Sequence, residues 1–137
     1  MREMFYKKCK EAGIRITPQR ETIYSFLASE GGHPSADDVY RKVKRKLSNV
    51  SFDTVHRTLS LFSDIGLIKT VEGHGRPKRF DPTTEEHHHF QCVKCGGITD
   101  FNSRELDRIK VPADIKKRFI VTGKKVVIEG ICGACRE

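Results

Sequence analysis

Apolar residues in the first half of this chain recur at helical spacing; in the second half they alternate or run in short blocks. Residues 3–12 carry an amphipathic pattern that Gly13 ends. Thr17-Pro18 is a helix start, an N-cap followed by a proline at the first helical position, and Ile23, Phe26 and Leu27 continue it to about residue 29. Ser35 opens a third helix, with Asp37 and Asp38 in its first turn and Val39, Val43 and Leu47 marking its buried face. Ser51 opens a fourth, 52–64, with Val55, Leu59 and Phe62 on one stripe, and Gly66 ends it.

The period then changes. Residues 67–71 and 78–81 read as strands around a turn at 73–77, so three helices are followed by a hairpin. That order is a winged helix-turn-helix with one extra helix ahead of it. Pro82-Thr83-Thr84 reads as a linker, which predicts domains at 1–81 and 82–137. Beyond it, 88–93 and 98–101 read as strands joined by Cys95-Gly96-Gly97. Ser103 caps a helix over 104–109, Pro112 opens a short turn, and 126–131 is a strand. The fold class is therefore α+β, with a winged helix followed by a small α/β half.

Charge adds a partner to this picture. The net charge is +8, and residues 1–81 hold sixteen Lys/Arg against ten Asp/Glu. That basic excess, on a winged helix, points to double-stranded DNA. The helix over 52–64 is the candidate reader, with Ser51, Asp53, Thr54, His56, Arg57 and Thr58 expected on its exposed N-terminal face. Lys69, Arg76, Lys78 and Arg79 on the hairpin suit phosphate contact, and Arg15 and Arg20 join the DNA-facing set. No apolar run approaches the ~18 residues a membrane span needs, and the start of the chain lacks the apolar core of a signal peptide. A cytoplasmic protein with no membrane partner is expected. In that reducing setting cysteine pairs favour metal or redox chemistry over disulfides. Cys9, on an amphipathic helix, is expected to pack.

The strongest chemical signal is Cys92-x-x-Cys95 and Cys132-x-x-Cys135. Two such hooks deliver four thiolates to one zinc at about 2.3 Å, a closed tetrahedral shell that leaves no position for substrate, so the zinc should be structural. Paired thiol redox couples are the competing reading, with nothing thioredoxin-like around either hook. A second set is His33, Asp81, His87, His89 and Asp100. Residues two apart on a strand share a face, so His87 and His89 can meet one ion while His88 points away. Imidazole with carboxylate suits iron, manganese or zinc. An ion held by residues from both halves would act as a switch between arrangements.

Thr17-Pro18-Gln19-Arg20, His33 to Tyr40, Ser51 to Ile68, His87 to Gly96 and Gly130 to Cys135, in this order, resemble the ferric uptake regulator family of metal-dependent repressors. The resemblance implies an N-terminal DNA-binding domain, a C-terminal dimerisation domain with a four-cysteine zinc, and a regulatory Fe(II) or Mn(II) site (Zn(II) in some members) at His33, Asp81, His87, His89 and Asp100. It also implies a homodimer on a palindromic operator, and no enzyme. Aspartate at both carboxylate positions looks like the peroxide-sensing branch, where ferrous iron reacts with hydrogen peroxide and a ligand histidine is oxidised. Iron-responsive and zinc-responsive repressors are the alternatives, and a mononuclear iron metalloenzyme is the remote one. The chain departs from the family in two places. His56 stands where many members have Tyr. A further metal site of some members falls on Glu86, His88, Asp107 and Lys124, where a protonated Lys124 cannot ligate and His88 replaces an acid, so that site is not expected here.

Overall fold

The computed structural model describes residues 2–71 and 77–136. The chain divides into two compact units, Met1–Thr84 and Glu85–Glu137. The expected boundary at 81/82 thus moves by three residues: the Thr83 N–H donates to Asp81 Oδ1 at 2.9 Å, tying the linker back to the first unit.

The first unit holds α1 (Arg2–Glu11), α2 (Pro18–Glu30), α3 (Ala36–Lys46) and α4 (Phe52–Asp64). Each later helix starts where a hydroxyl satisfies an orphan backbone donor. Thr17 Oγ1 accepts from the Arg20 N–H at 3.2 Å, and Ser51 Oγ from the Thr54 N–H at 3.1 Å. At α3 the cap is reciprocal: Ser35 Oγ accepts from the Asp38 N–H at 3.2 Å, and Asp38 Oδ2 from the Ser35 N–H at 3.0 Å. That backbone donor is the main reason the Asp38 carboxyl is held below its ordinary range. The apolar faces meet in one core of Phe5, Ile23, Leu27, Val39, Val43, Val55, Leu59 and Phe62. Cys9 packs there, fully buried, and burial raises its thiol pKa. The extra helix is fastened by aromatics: Phe5 stacks on Tyr24 at 5.0 Å and meets Phe62 edge-on at 5.9 Å.

Gly66 takes φ +74°, a left-handed turn that closes α4 and lets the Leu67 and Ile68 N–H groups donate back to the Phe62 carbonyl. Both residues are buried in the core. This corrects the expectation of a strand from 67: their donors are spent on the helix end, so β1 (Lys69–Val71) begins after them. It pairs antiparallel with β2 (Arg79–Asp81), Lys69 facing Asp81. The rest of the expected turn, residues 73–76 with Arg76, lies outside the described residues. Three helices and a hairpin make the winged helix-turn-helix.

The second unit is a three-stranded sheet of order β4-β3-β5, with β3 at His88–Cys92, β4 at Ile98–Phe101 and β5 at Val127–Gly130. β3 runs antiparallel to β4, with His89 opposite Asp100, and parallel to β5, with Cys92 opposite Gly130. The parallel pair was not foreseen from sequence. Short helices α5 (Arg104–Asp107, capped by Ser103) and α6 (Ala113–Arg118, after Pro112) complete it. Among the described residues, Cys92 is the one buried hydrophobic side chain of this unit. No described helix is long and apolar enough to cross a membrane.

Candidate metal centres and nucleic-acid face

The four cysteines converge because β3 and β5 end side by side. Cys92 closes β3, and a tight turn over 93–95, closed by the Gly96 N–H donating to the Cys92 carbonyl at 2.8 Å, brings Cys95 back, with Gly96 at φ +75° just beyond it. Past β5, the Cys135 N–H donates to the Cys132 carbonyl at 3.1 Å, forming the second hook. The four Sγ atoms lie within 4.8 Å of one another. Cys95 and Cys132 sulfurs are 3.8 Å apart, and a tetrahedron with metal–sulfur bonds of about 2.3 Å has edges of about 3.8 Å. Backbone N–H groups already point at sulfur: Cys95 and Cys132 at Cys92 Sγ (3.5 and 3.4 Å), and Gly97 at Cys95 Sγ (3.4 Å). The Cys95 N–H first, and then the Cys132 N–H, hold the Cys92 thiol down to about 6. Cys135, sharing its proton with Cys132 in the same crowd of sulfurs, is pushed up to about 12. One thiolate is accepted readily and the last is resisted, a charge a dication balances. The arrangement fits structural zinc.

The histidine–carboxylate residues fall into two groups, one in each unit. In the first unit His33 follows α2 and Asp81 ends β2; His33 Nε2 lies 3.3 Å from Asp81 Oδ2, and both side chains are buried. In the second, His87 and His89 flank His88 at the start of β3, and cross-strand register brings in Asp100. His87 Nε2 is 3.0 Å from His89 Nε2, His89 Nε2 is 3.1 Å from Asp100 Oδ1, and His87 Nε2 is 3.5 Å from the same oxygen. Ligands at about 2.1 Å from an ion stand about 3.0 Å apart as octahedral neighbours and about 3.4 Å apart in a tetrahedron. The tautomer of His87 agrees: its Nδ1–H donates to the Glu85 carbonyl at 2.7 Å, leaving a lone pair at Nε2 for a metal. The role of the Glu85 carbonyl was not readable from sequence, since a backbone oxygen has no side-chain signature.

His88 points to the other face, as the alternation predicts. Its Nδ1 accepts from the Val126 N–H at 3.3 Å, so its Nε2–H donates to Asp107 Oδ1 at 2.7 Å. Both ring nitrogens are thereby committed. The Lys124 ammonium donates to the Ile109 carbonyl.

On α4, Ser51, His56 and Arg57 are exposed and Thr54 is half-buried. The Ser51 hydroxyl serves the cap and also donates to Thr54 Oγ1 at 2.9 Å; Arg57 pairs with Asp53 at 2.8 Å. Thr58 corrects the expected face: it is buried, its hydroxyl donating to the Thr54 carbonyl at 2.7 Å, because position 58 lies beside Val55 and Leu59 on the core stripe. Arg15 and Lys78 are exposed, and Arg20 is half-buried with Nη1 donating to the Arg15 carbonyl at 2.5 Å. Thr17, Gln19, Arg20, Thr54 and Arg57 line a cleft of about 440 Å³ between the start of α2 and α4.

The family model described as the ferric uptake regulator family matches residues 11–128. A curated relative named peroxide-responsive repressor PerR, from Staphylococcus epidermidis, is 39% identical over 128 residues, covering 93% of this chain and 85% of its own. The solved ferric uptake regulator of Helicobacter pylori superposes with a TM-score of 0.81 at 24% identity, covering 98% of this chain and 91% of its own. A ferric uptake regulator from Francisella tularensis, solved with iron, superposes at 0.77 with 27% identity, covering 91% and 96%.

Proposed function

Because the chain belongs to the ferric uptake regulator family and is a metal-dependent DNA-binding repressor of that family, we propose that it reports hydrogen peroxide through a ferrous or manganous ion held jointly by His33, Asp81, His87, His89 and Asp100. Zinc on the four cysteines is its structural cofactor. The single observation that carries the reading is the pair of ready half-sets, His33 with Asp81 in the winged-helix unit and His87, His89 with Asp100 on β3 and β4. An ion completing both would restrict the two units to one arrangement, and DNA affinity would follow the population of that arrangement. Ferrous iron supplies the one-electron chemistry that activates peroxide. The protein's own residues orient the ligands: the Glu85 carbonyl sets the His87 lone pair, and the β3–β4 register sets Asp100.

Asp81 and Asp100 at the carboxylate positions, and the name of the Staphylococcus epidermidis relative, support peroxide over iron as the signal. DNA is read by α4 through Ser51, Thr54, His56 and Arg57, with Arg15, Arg20 and Lys78 on phosphates. The cleft beside Arg20 and Arg57 and the exposure of this face support that role. A second copy of the chain covers exposed apolar residues of the second unit, among them Phe119, Ile120, Val127 and Ile128, and a palindromic operator matches the resulting two-fold symmetry. The protein works in the cytoplasm and turns over no substrate.

The test is mass spectrometry of iron-loaded protein after peroxide. A gain of one oxygen atom on the peptide holding His33 or His87, with loss of operator binding, is the expected result. Operator binding that follows Fe(II) concentration and ignores peroxide would overturn the peroxide reading and leave the iron-responsive one.

A further inference from the structure

Arg79 faces two ways. It is half-buried on β2, two residues ahead of Asp81. Its Nη1 donates to the His33 carbonyl at 3.1 Å, its backbone bridges Ser35, and the next N–H, from Phe80, donates to the Pro34 carbonyl at 2.9 Å. His33 is reached through Gly31 and Gly32, both at positive φ (+64° and +70°). Two glycines in succession give the loop little stiffness of its own. The placement of His33 is therefore imposed from outside, by β2 and by the Arg79 guanidinium.

The same guanidinium lines a cleft of about 370 Å³ with Arg41, Lys42 and Arg45 of α3. Asp38 is the acid of the lining, and its carboxylate is already engaged by the Ser35 N–H and by Arg41 Nη2 at 2.6 Å. Arg41 is shared between Asp38 and Asp37, whose Oδ2 lies 3.8 Å from its Nη1, so the positive excess of the cleft rests on Arg45 and Arg79, and that excess draws an anion. A guanidinium carries five N–H donors in a planar fork, and the His33 carbonyl takes one of them.

We propose that this cleft is a phosphate-class anion site and that Arg79 links its occupancy to the setting of His33. Arg79 is a positioning residue: it touches no metal, and acts by holding the backbone that carries a metal ligand. An anion gripped by the outer edge of the fork fixes the inner edge on His33. By linkage, the factor by which the anion tightens metal binding is the factor by which metal tightens the anion. The anion is either a free oxyanion or a phosphate of the DNA backbone. The inference rests on the proposed switch for the role of His33 as a ligand.

The experiment uses the zinc-loaded full chain, with Mn(II) as metal probe, sulfate as free-anion probe and an operator duplex as backbone probe. Arg79→Met should weaken Mn(II) binding about tenfold in calorimetry, with zinc content and far-UV circular dichroism unchanged. Arg45→Met, which removes a cleft cation and leaves the His33 contact, should bind Mn(II) like the parent protein. If sulfate, exchanged for chloride at constant ionic strength, tightens Mn(II) binding by about fivefold or more in the parent and not in Arg45→Met, the source is a free anion. If sulfate does nothing but Arg45→Met lowers the salt slope of operator binding by about one, the source is the DNA backbone. Neither response overturns the anion site, and unchanged Mn(II) affinity in Arg79→Met overturns the link. Should Arg79→Met lose its helical signal, Arg79→Lys, which keeps the charge without the fork, takes its place with the same expectation. Failure of Mn(II) to tighten operator binding in the parent would defeat the switch itself, and is read separately from these affinities.

Discussion

Removing zinc should unfold one unit and spare the other. The perturbation is Cys132→Ser, or stoichiometric chelation of the parent protein. In the second unit no buried hydrophobic side chain but Cys92 is found among the described residues, while His88, His89 and Gln91 occupy the other buried strand positions. Fully burying one large apolar side chain contributes about 1.5–3 kcal/mol, so this unit lacks the core of a self-standing domain. A structural zinc contributes about 10–16 kcal/mol near neutral pH, comparable with the whole stability of an ordinary domain, about 5–15 kcal/mol. Losing one sulfur of four therefore removes more than the unit can spare. The first unit keeps its core, whose buried residues all lie between Phe5 and Phe80. Its helices span 10, 13, 11 and 13 residues, against 4 and 6 in the second unit. The helical signal should fall by about a fifth at most, while amide exchange in β3 becomes fast. Slow exchange at Phe90 to Cys92 in zinc-free Cys132→Ser would refute the reasoning, because the sheet would then stand without its metal.

Three further outcomes follow from local geometry. Ser51→Ala removes the acceptor for the Thr54 N–H and should cost about 1 kcal/mol, read as a lower denaturant midpoint at unchanged slope. Gly66→Ala meets no atom within 4 Å but forces a side chain to φ +74°, and should cost about 1 kcal/mol in the same assay; no change would mean the turn relaxes. Zinc binding releases the protons of the thiols it captures. Because the zinc-free unit is unfolded, its thiols should titrate as ordinary cysteines near about 8.5, and calorimetry in two buffers should find about four protons released at both pH 7 and pH 5; a count lower by about one at pH 7 would mean that zinc-free Cys92 keeps the value of about 6 it has in the folded site.

The winged-helix half was legible because its signals are local. Thr17, Ser35 and Ser51 each cap a helix within three residues of themselves, and the core stripes repeat every turn. Local signals mislead where one residue can serve two neighbours. Leu67 and Ile68 look like strand residues but finish a helix, and Thr58 looks like a polar surface residue but has its hydroxyl satisfied within α4. The cysteine hooks and His-x-His carry their geometry in their spacing. Asp100 does not: its approach to His89 depends on the β3–β4 register, a relation between segments about ten residues apart. The β3–β5 pair spans a longer gap still, and no local pattern announces which strand β5 will join. Arg79 was readable as a basic wing residue, but its hold on His33 depends on a contact across 46 positions.

The parallel docking of β5 onto β3 has a consequence for how the molecule is born. On the ribosome the winged helix is complete before either couplet has been made, and folds first as a unit. Cys92 and Cys95 then wait through 36 further residues before Cys132 emerges. Until translation passes that point, a nascent chain owns only half a cage. Zinc supply is therefore first tested at maturation, when the second couplet joins the one that has been waiting for it.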